Sequence, residues 1–314
     1  MPLIIHPSTS TDVRRQAMIE DLNSNRLPAA YLYEGITQSE HWLTVHQALS
    51  PFLNDSSCTA LYEWIALETA TLLDIHNVNV IGLGCGSGIK DAALLRRLKD
   101  PSYWPIDISE NLALEAANNS PISNNYPIVL NLESARNIDV FLDNHVSIGA
   151  QRVYTLFGIL PNFDPQTLAE QLKQFLKSGD VLLLSANLAP GDNYLNGVKR
   201  ILPQYDNDIT HDWLMAALSG IKINPSQGKL TFGQENMDLG LRRIVACWNF
   251  VQSHQMKYSG VNFNFKSGTK LEVFYSIRHT IPKVVEWLKL IGLSVIKHRA
   301  SDSGEEAVFL CQVP

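Results

Sequence analysis

The sequence predicts an α/β fold: a doubly wound, mostly parallel sheet with helices on both faces, joined to a second α+β lobe. Three observations carry this reading. Between about residues 59 and 190, short β-branched runs alternate with segments of helical period, the rhythm of a parallel sheet. The first strand runs into four glycines, Gly82, Gly84, Gly86 and Gly88, ahead of a helix. After Pro190 the rhythm gives way to strands joined by turns, and it returns near residue 280.

The elements follow in order. Residues 1–60 are polar and irregular, with a helix at 13–22 and an aromatic-bearing segment over 27–52. Apolar residues at helical spacing (Leu61, Trp64, Ile65, Leu67, Leu72) predict a helix over 60–73, and the run 77–83 predicts the first core strand. Helices at 90–98, 109–118, 138–142 and 165–176 then alternate with strands at 103–106, 128–132, 152–157 and 180–187. The stretch 191–224 reads as loop and helix, and 228–279 as strands that include 242–250, 260–265 and 270–277. Thr280 caps a helix running through 291, with Pro282 tolerated in its first turn. Two closing strands, 293–297 and 307–312, flank a turn at Ser301–Gly304. The chain thus divides into a core of 61–200 plus 280–314 and a lobe of 1–60 plus 201–279. Ligands in open α/β sheets sit outside the carboxyl ends of the strands, an edge this lobe is placed to cover.

Composition narrows the function classes. Of 314 residues, 45% are hydrophobic, an ordinary share that excludes disordered and collagen-like chains. A formal charge of −6 argues against a nucleic-acid binder, which needs clustered Lys and Arg. Cys58, Cys85, Cys247 and Cys311 are scattered, which suits neither a disulfide framework nor a zinc site. The nine histidines show no ligand spacing, so no metal is expected. With no targeting segment and no stretch near ~20 apolar residues, the expectation is a cytoplasmic protein without a membrane partner, monomeric by default.

The glycine loop carries the chemistry. A buried strand breaking into glycines before a helix lets backbone amides approach a ligand closely. The dinucleotide fingerprint G-x-G-x-x-G fails in both frames, because Ser87 or Ile89 stands where its last glycine belongs, and this disfavours a nicotinamide dehydrogenase. The spacing Gly84-x-Gly86-x-Gly88 instead resembles that of S-adenosylmethionine (SAM) sites in class I methyltransferases. Nineteen positions past Gly88, Asp107 ends the next strand, where an acid can accept from both ribose hydroxyls or cap the following helix, a task Ser109 can also perform. At the third strand end, Asn131 and Leu132 are placed to meet adenine. The fourth ends in Phe157-Gly158, with Asn162 either orienting a substrate or serving the turn.

These residues resemble the SAM-dependent histidine-specific Nα-methyltransferase family of ergothioneine biosynthesis. The resemblance is distant but spans nearly the whole chain: Leu27-Pro28 with Tyr31-Leu32-Tyr33-Glu34, Gly84-Cys85-Gly86 with Lys90, Pro105 to Glu110, Asn162 to Pro165, Ser178 to Leu184, Tyr205-Asp206 and Ser276 to Thr280. It implies a class I methyltransferase core, Rossmann-like, with a lobe built from the N-terminus and a late insertion. It also implies SAM as cofactor, contacted by Gly84, Cys85, Gly86, Lys90, Asp107, Asn131, Leu132 and Gly158. Asn162 and Tyr205 would hold an amino-acid substrate, with Tyr33 beside its amine as the catalytic group, and Trp42, Phe52, Phe274 and Ser276 would complete the pocket.

The departures from the family pattern set the substrate expectation. The family's imidazole-binding Glu-x-Ser is Phe274-Tyr275-Ser276 here, its Tyr-Tyr-x-Thr-Arg motif is absent, and the acid before the glycine loop is Gly82. Phe52 stands where a substrate-binding tyrosine would, and Trp42 where a phenylalanine would. Losing the acid leaves an imidazole N–H unpaired at ~1–3 kcal/mol, which argues against free histidine. The expected activity is N-methylation of a small-molecule amino acid or aromatic amine by in-line attack of a nitrogen lone pair. The alternatives are O- or C-methylation on the same scaffold and a non-catalytic SAM-binding protein.

Overall fold

The computed structural model describes residues 2–73, 77–146 and 149–314. Its centre is an eight-stranded sheet in the order β1-β4-β3-β2-β5-β6-β13-β12. The strands are β1 (Ile4–Ile5), β2 (Val78–Leu83), β3 (Ser102–Asp107), β4 (Ile128–Val129), β5 (Gln151–Leu156), β6 (Val181–Asn187), β12 (Ser294–Ala300) and β13 (Glu306–Gln312). β1 to β6 pair in parallel, whereas β13 runs antiparallel to both β6 and β12. Helices cover both faces, so β2 is buried along its whole length and reads as a continuous apolar run rather than an alternating one. One face packs on the helices Ile138–His145, Pro165–Phe175 and Ile281–Leu290 through Leu142, Leu172, Phe175 and Leu288. The other packs on Ser56–Leu73, Asp91–Leu95 and Glu110–Asn118 through Leu61, Ile65, Leu94 and Ala116.

The second lobe carries a three-stranded antiparallel sheet, β11-β8-β7, and a hairpin. Its strands are β7 (Gly228–Asn236), β8 (Arg242–Phe250), β9 (His254–Tyr258), β10 (Val261–Phe265) and β11 (Lys270–Arg278). Helices Thr11–Asn23 and Asp208–Gly220 close its own core around Met18, Leu22, Trp213, Trp248 and Leu271.

Three features differ from the sequence reading. The first residues belong to the core rather than to the lobe, because Ile4 and Ile5 pair with Ile128 and Val129 and extend the open edge of β4. The strand expected over 128–132 stops at Val129, since Asn131 turns the chain by accepting from the Glu133 amide. The helix expected through 98 ends at Leu95, and Arg96 and Arg97 reach across to Glu63.

The strand order places the crevice. The chain proceeds from β2 outward through β3 and β4, then returns to build β5 and β6 on the other side. This reversal opens the sheet between the carboxyl ends of β2 and β5, where α/β proteins bind ligands.

Candidate active site

A cavity of about 310 Å³ lies at that edge, within the ~300–1,000 Å³ typical of small-molecule sites. Its floor is the loop after β2. Gly84, Gly86 and Gly88 hold φ of +61°, +55° and +74°, conformations that exclude most side chains. Each missing Cβ makes room for a neighbour: Ile159 closes on Gly84, the Trp42 indole on Gly86, and the Ala116 backbone on Gly88. Trp42 and Ile159 thereby become cavity walls.

Asp107 ends β3 and is 6% exposed. Gly86 N–H donates to its Oδ2 and Ser109 N–H to its Oδ1, each at 3.0 Å. Burial raises its carboxyl to about 6, against the pull of those amide donors. The carboxylate thus braces the glycine loop and retains lone pairs for hydroxyl donors. Ser109 caps the next helix by accepting from Leu112 N–H, leaving Asp107 free of that task. Leu132 lines the cavity with Asn131, whose Oδ1 is engaged by the Glu133 amide, so adenine would meet its amide nitrogen or share that oxygen. Cys85 lines the cavity, and burial raises its thiol well above the ordinary range.

Lys90 stands at the far end. Its Nζ lies 3.6 Å from Glu306 Oε1 and 5.0 Å and 5.8 Å from the ring centres of Tyr62 and Phe52. Phe52 does not line the cavity as expected; it packs edge-on against Tyr62 behind Lys90.

The lobe supplies an aromatic wall. Tyr33 meets Trp42 at 6.1 Å and Trp213 at 5.6 Å between ring centroids, and Trp213 meets Phe274 at 5.5 Å. Burial, with Asp107 nearby, pushes the Tyr33 phenol far above its usual range, so it stays protonated. His46 stacks on Trp42, and burial lowers it to about 4, so the ring is neutral at pH 7. Along β11, alternate residues Phe274, Ser276 and Arg278 face the cavity. Ser276 Oγ and Tyr205 Oη are 2.8 Å apart, and Arg278 Nη2 donates to Tyr205 Oη at 2.7 Å. Arg278 is 5% exposed, its Nη1 reaches Leu188 O, and its Nε has no partner among the described residues. No described carboxylate pairs with it. Asn162 Nδ2 donates to Tyr275 O at 3.1 Å, tying the core to β11.

A family profile described as histidine-specific methyltransferase, SAM-dependent, matches residues 15–313. The chain belongs to that family. Its cofactor is S-adenosylmethionine. Among solved structures, it is similar to a SAM-dependent methyltransferase from Clostridium acetobutylicum ATCC 824, at 14% identity over 87% of this chain and 98% of that one, with a TM-score of 0.48. It is also similar to magnesium protoporphyrin IX methyltransferase from Synechocystis PCC 6803 with bound SAH, at 11% identity over 90% and 97% of the chains, with a TM-score of 0.45. No curated protein sequence matches the chain.

For this methyltransferase the missing acid at Gly82 has a structural answer. A Cβ there would lie 2.6 Å from Asp91 Oδ2, so a carboxylate from the following helix fills the space. Asp91 is buried, accepts from Tyr103 Oη at 2.5 Å, and is raised to about 6 by burial. The donor set suits SAM: an acid at the second strand end, an apolar and amide pair at the third, and a cation opposite an acid near Gly158. Among the described residues no cluster could hold a metal, and no helix is long and apolar enough to cross a membrane.

Sequence reasoning assigned no role to Arg278, Trp213, His46 or Glu306. Arg278 was within reach, since strand alternation from Phe274 and Ser276 leads straight to it. Glu306 left only a faint signal, the second of two adjacent acids ahead of the apolar run 307–311.

Proposed function

We propose that this methyltransferase transfers a methyl group to the amino nitrogen of an aromatic amino acid other than histidine. The observation that carries this is the lobe wall: Tyr33, Trp42, Trp213 and Phe274 offer ring faces, and Arg278 offers a buried cation beside Tyr205 and Ser276. The cavity's acids among the described residues, Asp107, Glu133 and Glu306, all stand on the core side. An imidazole against Phe274 would find no carboxylate. A flat apolar ring fits there, and Arg278 with Tyr205 fits its carboxylate.

Bound at the glycine loop, SAM supplies a methyl group on a positively charged sulfur. On this reading Asp107 takes the ribose hydroxyls, Leu132 and Asn131 border adenine, and Lys90 meets the amino-acid end. The protein's work is then alignment and drying. Tyr33, a neutral phenol, cannot act as the base; it orients the amine by hydrogen bonding while the proton leaves to water. Exclusion of water from the slot disfavours an ammonium and so favours the nucleophilic free amine. Neutral His46 adds no charge that would repel the sulfonium.

The test pairs acceptors by chemistry, tryptophan with tryptamine and tyrosine with tyramine, with histidine alongside, and weighs products by mass spectrometry. Methylated aromatic amino acids, with weaker turnover of the amines and histidine, are expected. Preferred methylation of histidine, or SAM binding without turnover of any acceptor, would overturn the proposal.

A further inference from the structure

At the carboxyl end of β6, where Glu306 pairs in register with Asn187, a cation and an acid from distant parts of the chain face the same space. Lys90 follows the glycine loop and Glu306 opens β13, with Nζ to Oε1 at 3.6 Å. Glu306 is 3% exposed, yet it lines the cavity. Tyr62 Oη donates to its Oε1, and Cys58 Sγ donates to its Oε2 at 3.0 Å. Ser185, whose Oγ accepts from Gly158 N–H at 2.9 Å, also hydrogen-bonds it. A Cβ on Gly158 would lie 3.5 Å from Lys90 Nζ, so the ammonium sits over that glycine. Acid and cation together therefore flank the crevice between β2 and β5.

Beside Lys90, which the family resemblance already assigns to the cofactor, we propose that Glu306 receives the α-ammonium of the cofactor's amino-acid end, so that the two clamp a zwitterion. The inference rests on the SAM cofactor and not on the identity of the acceptor. Three physical points support it. A carboxylate is expensive to bury, and this one is held ionised: burial pushes its pKa up, but Lys90 and its hydroxyl and thiol donors outweigh that and hold it below the ordinary range. The pair is looser than a close ion pair, so the ammonium, flanked by two aromatic faces, keeps N–H donors for a ligand. Charge alternation then decides the ligand. A ligand carboxylate alone would set two acids around one Lys90, whereas a zwitterion alternates the four charges.

The experiment is calorimetry without any acceptor, using S-adenosylhomocysteine (SAH) and its analogue lacking the amino group, S-(5′-adenosyl)-4-thiobutyrate. The clamp predicts that the native protein binds SAH roughly 10- to 100-fold more tightly than the analogue. Glu306→Gln, which keeps an acceptor for Tyr62, should weaken SAH while the analogue, whose carboxylate no longer faces a second acid, holds or gains affinity, so that the two converge. Lys90→Met should weaken SAH while sparing a third ligand, S-(5′-adenosyl)-3-thiopropylamine, which lacks only the carboxylate. Equal affinity of the native protein for SAH and the thiobutyrate analogue overturns the proposal even if neither variant folds. So does an equal loss for both ligands in a folded Glu306→Gln protein. Because no methyl acceptor enters, a wrong acceptor class would leave these results untouched.

Discussion

Gly86→Ala and Gly88→Ala impose the same backbone penalty and meet different neighbours, so comparing them separates cavity from scaffold. Both glycines hold left-handed φ, at a cost of ~1–2 kcal/mol for alanine. At Gly88 the new Cβ would lie 2.9 Å from the Cα of Ala116, a helix backbone that cannot swing aside. Overpacking of that kind adds ~1–3 kcal/mol. At Gly86 the Cβ would lie 2.8 Å from the outer edge of the Trp42 ring, which can rotate away. A tilt of that size keeps the ring packed on Tyr33 and His46, so the backbone penalty alone sets the stability loss, while the displaced indole alters the cavity wall. Gly88→Ala should therefore lose ~2–5 kcal/mol of stability, a fall in Tm of roughly 4–10 °C at about 2 °C per kcal/mol. Gly86→Ala should lose only ~2–4 °C but bind SAH roughly tenfold more weakly. Scanning calorimetry and SAH titration read the two effects. Equal melting of both variants with SAH affinity intact in Gly86→Ala would refute the account of the loop.

Three further predictions concern the acceptor and the cofactor. Arg278→Met removes a charge-assisted partner worth ~1.5–3 kcal/mol, so kcat/KM for an aromatic amino acid should fall roughly 10- to 150-fold while that for the matching amine holds; steady-state kinetics on the pair decides. Tm should not fall, because a buried cation with no described acid partner becomes an apolar side chain. Phe274→Glu places the family's acid against the slot and should raise histidine turnover at least about tenfold, measured by product mass, at the cost of ~1–3 kcal/mol of stability. Asp107, raised to about 6, should make SAH binding weaken as pH drops below 6, by up to about tenfold per unit, and Asp107→Asn should flatten that profile in calorimetry. Melting would hide the effect. Asp107 and Asp91, both raised by burial, add stability as pH falls from about 6 toward their ordinary range near 4. His46 and His279, lowered to about 4, remove it between 6.5 and 4.

The core was legible because its signals are local. Strand runs, glycine spacing and caps such as Ser109 and Thr280 act within a few residues, and the elements fall where those residues put them. What escaped depends on contacts far apart in sequence. Ile4–Ile5 reads as a stray apolar pair until β4 offers it an open edge. Phe52 stands where the family resemblance implies a substrate-binding tyrosine, yet it packs edge-on against Tyr62 beside Lys90. Asp91 could be named only as a helix-start acid, since its service to Gly82 exists only once helix and strand meet. Glu306 lies more than two hundred residues from the Tyr62 and Cys58 side chains that hold it, so no motif could join them.

The central claim is that the aromatic slot presents an amino nitrogen to the sulfonium methyl. Incubating the enzyme with SAM carrying a ¹³C-labelled methyl and an aromatic amino acid, and recording the proton–carbon correlation of the product, tests it most directly. The label should appear as an N-methyl signal, coupled to nitrogen when the acceptor is ¹⁵N-labelled. A label on a phenolic oxygen or ring carbon, with none on nitrogen, would contradict it.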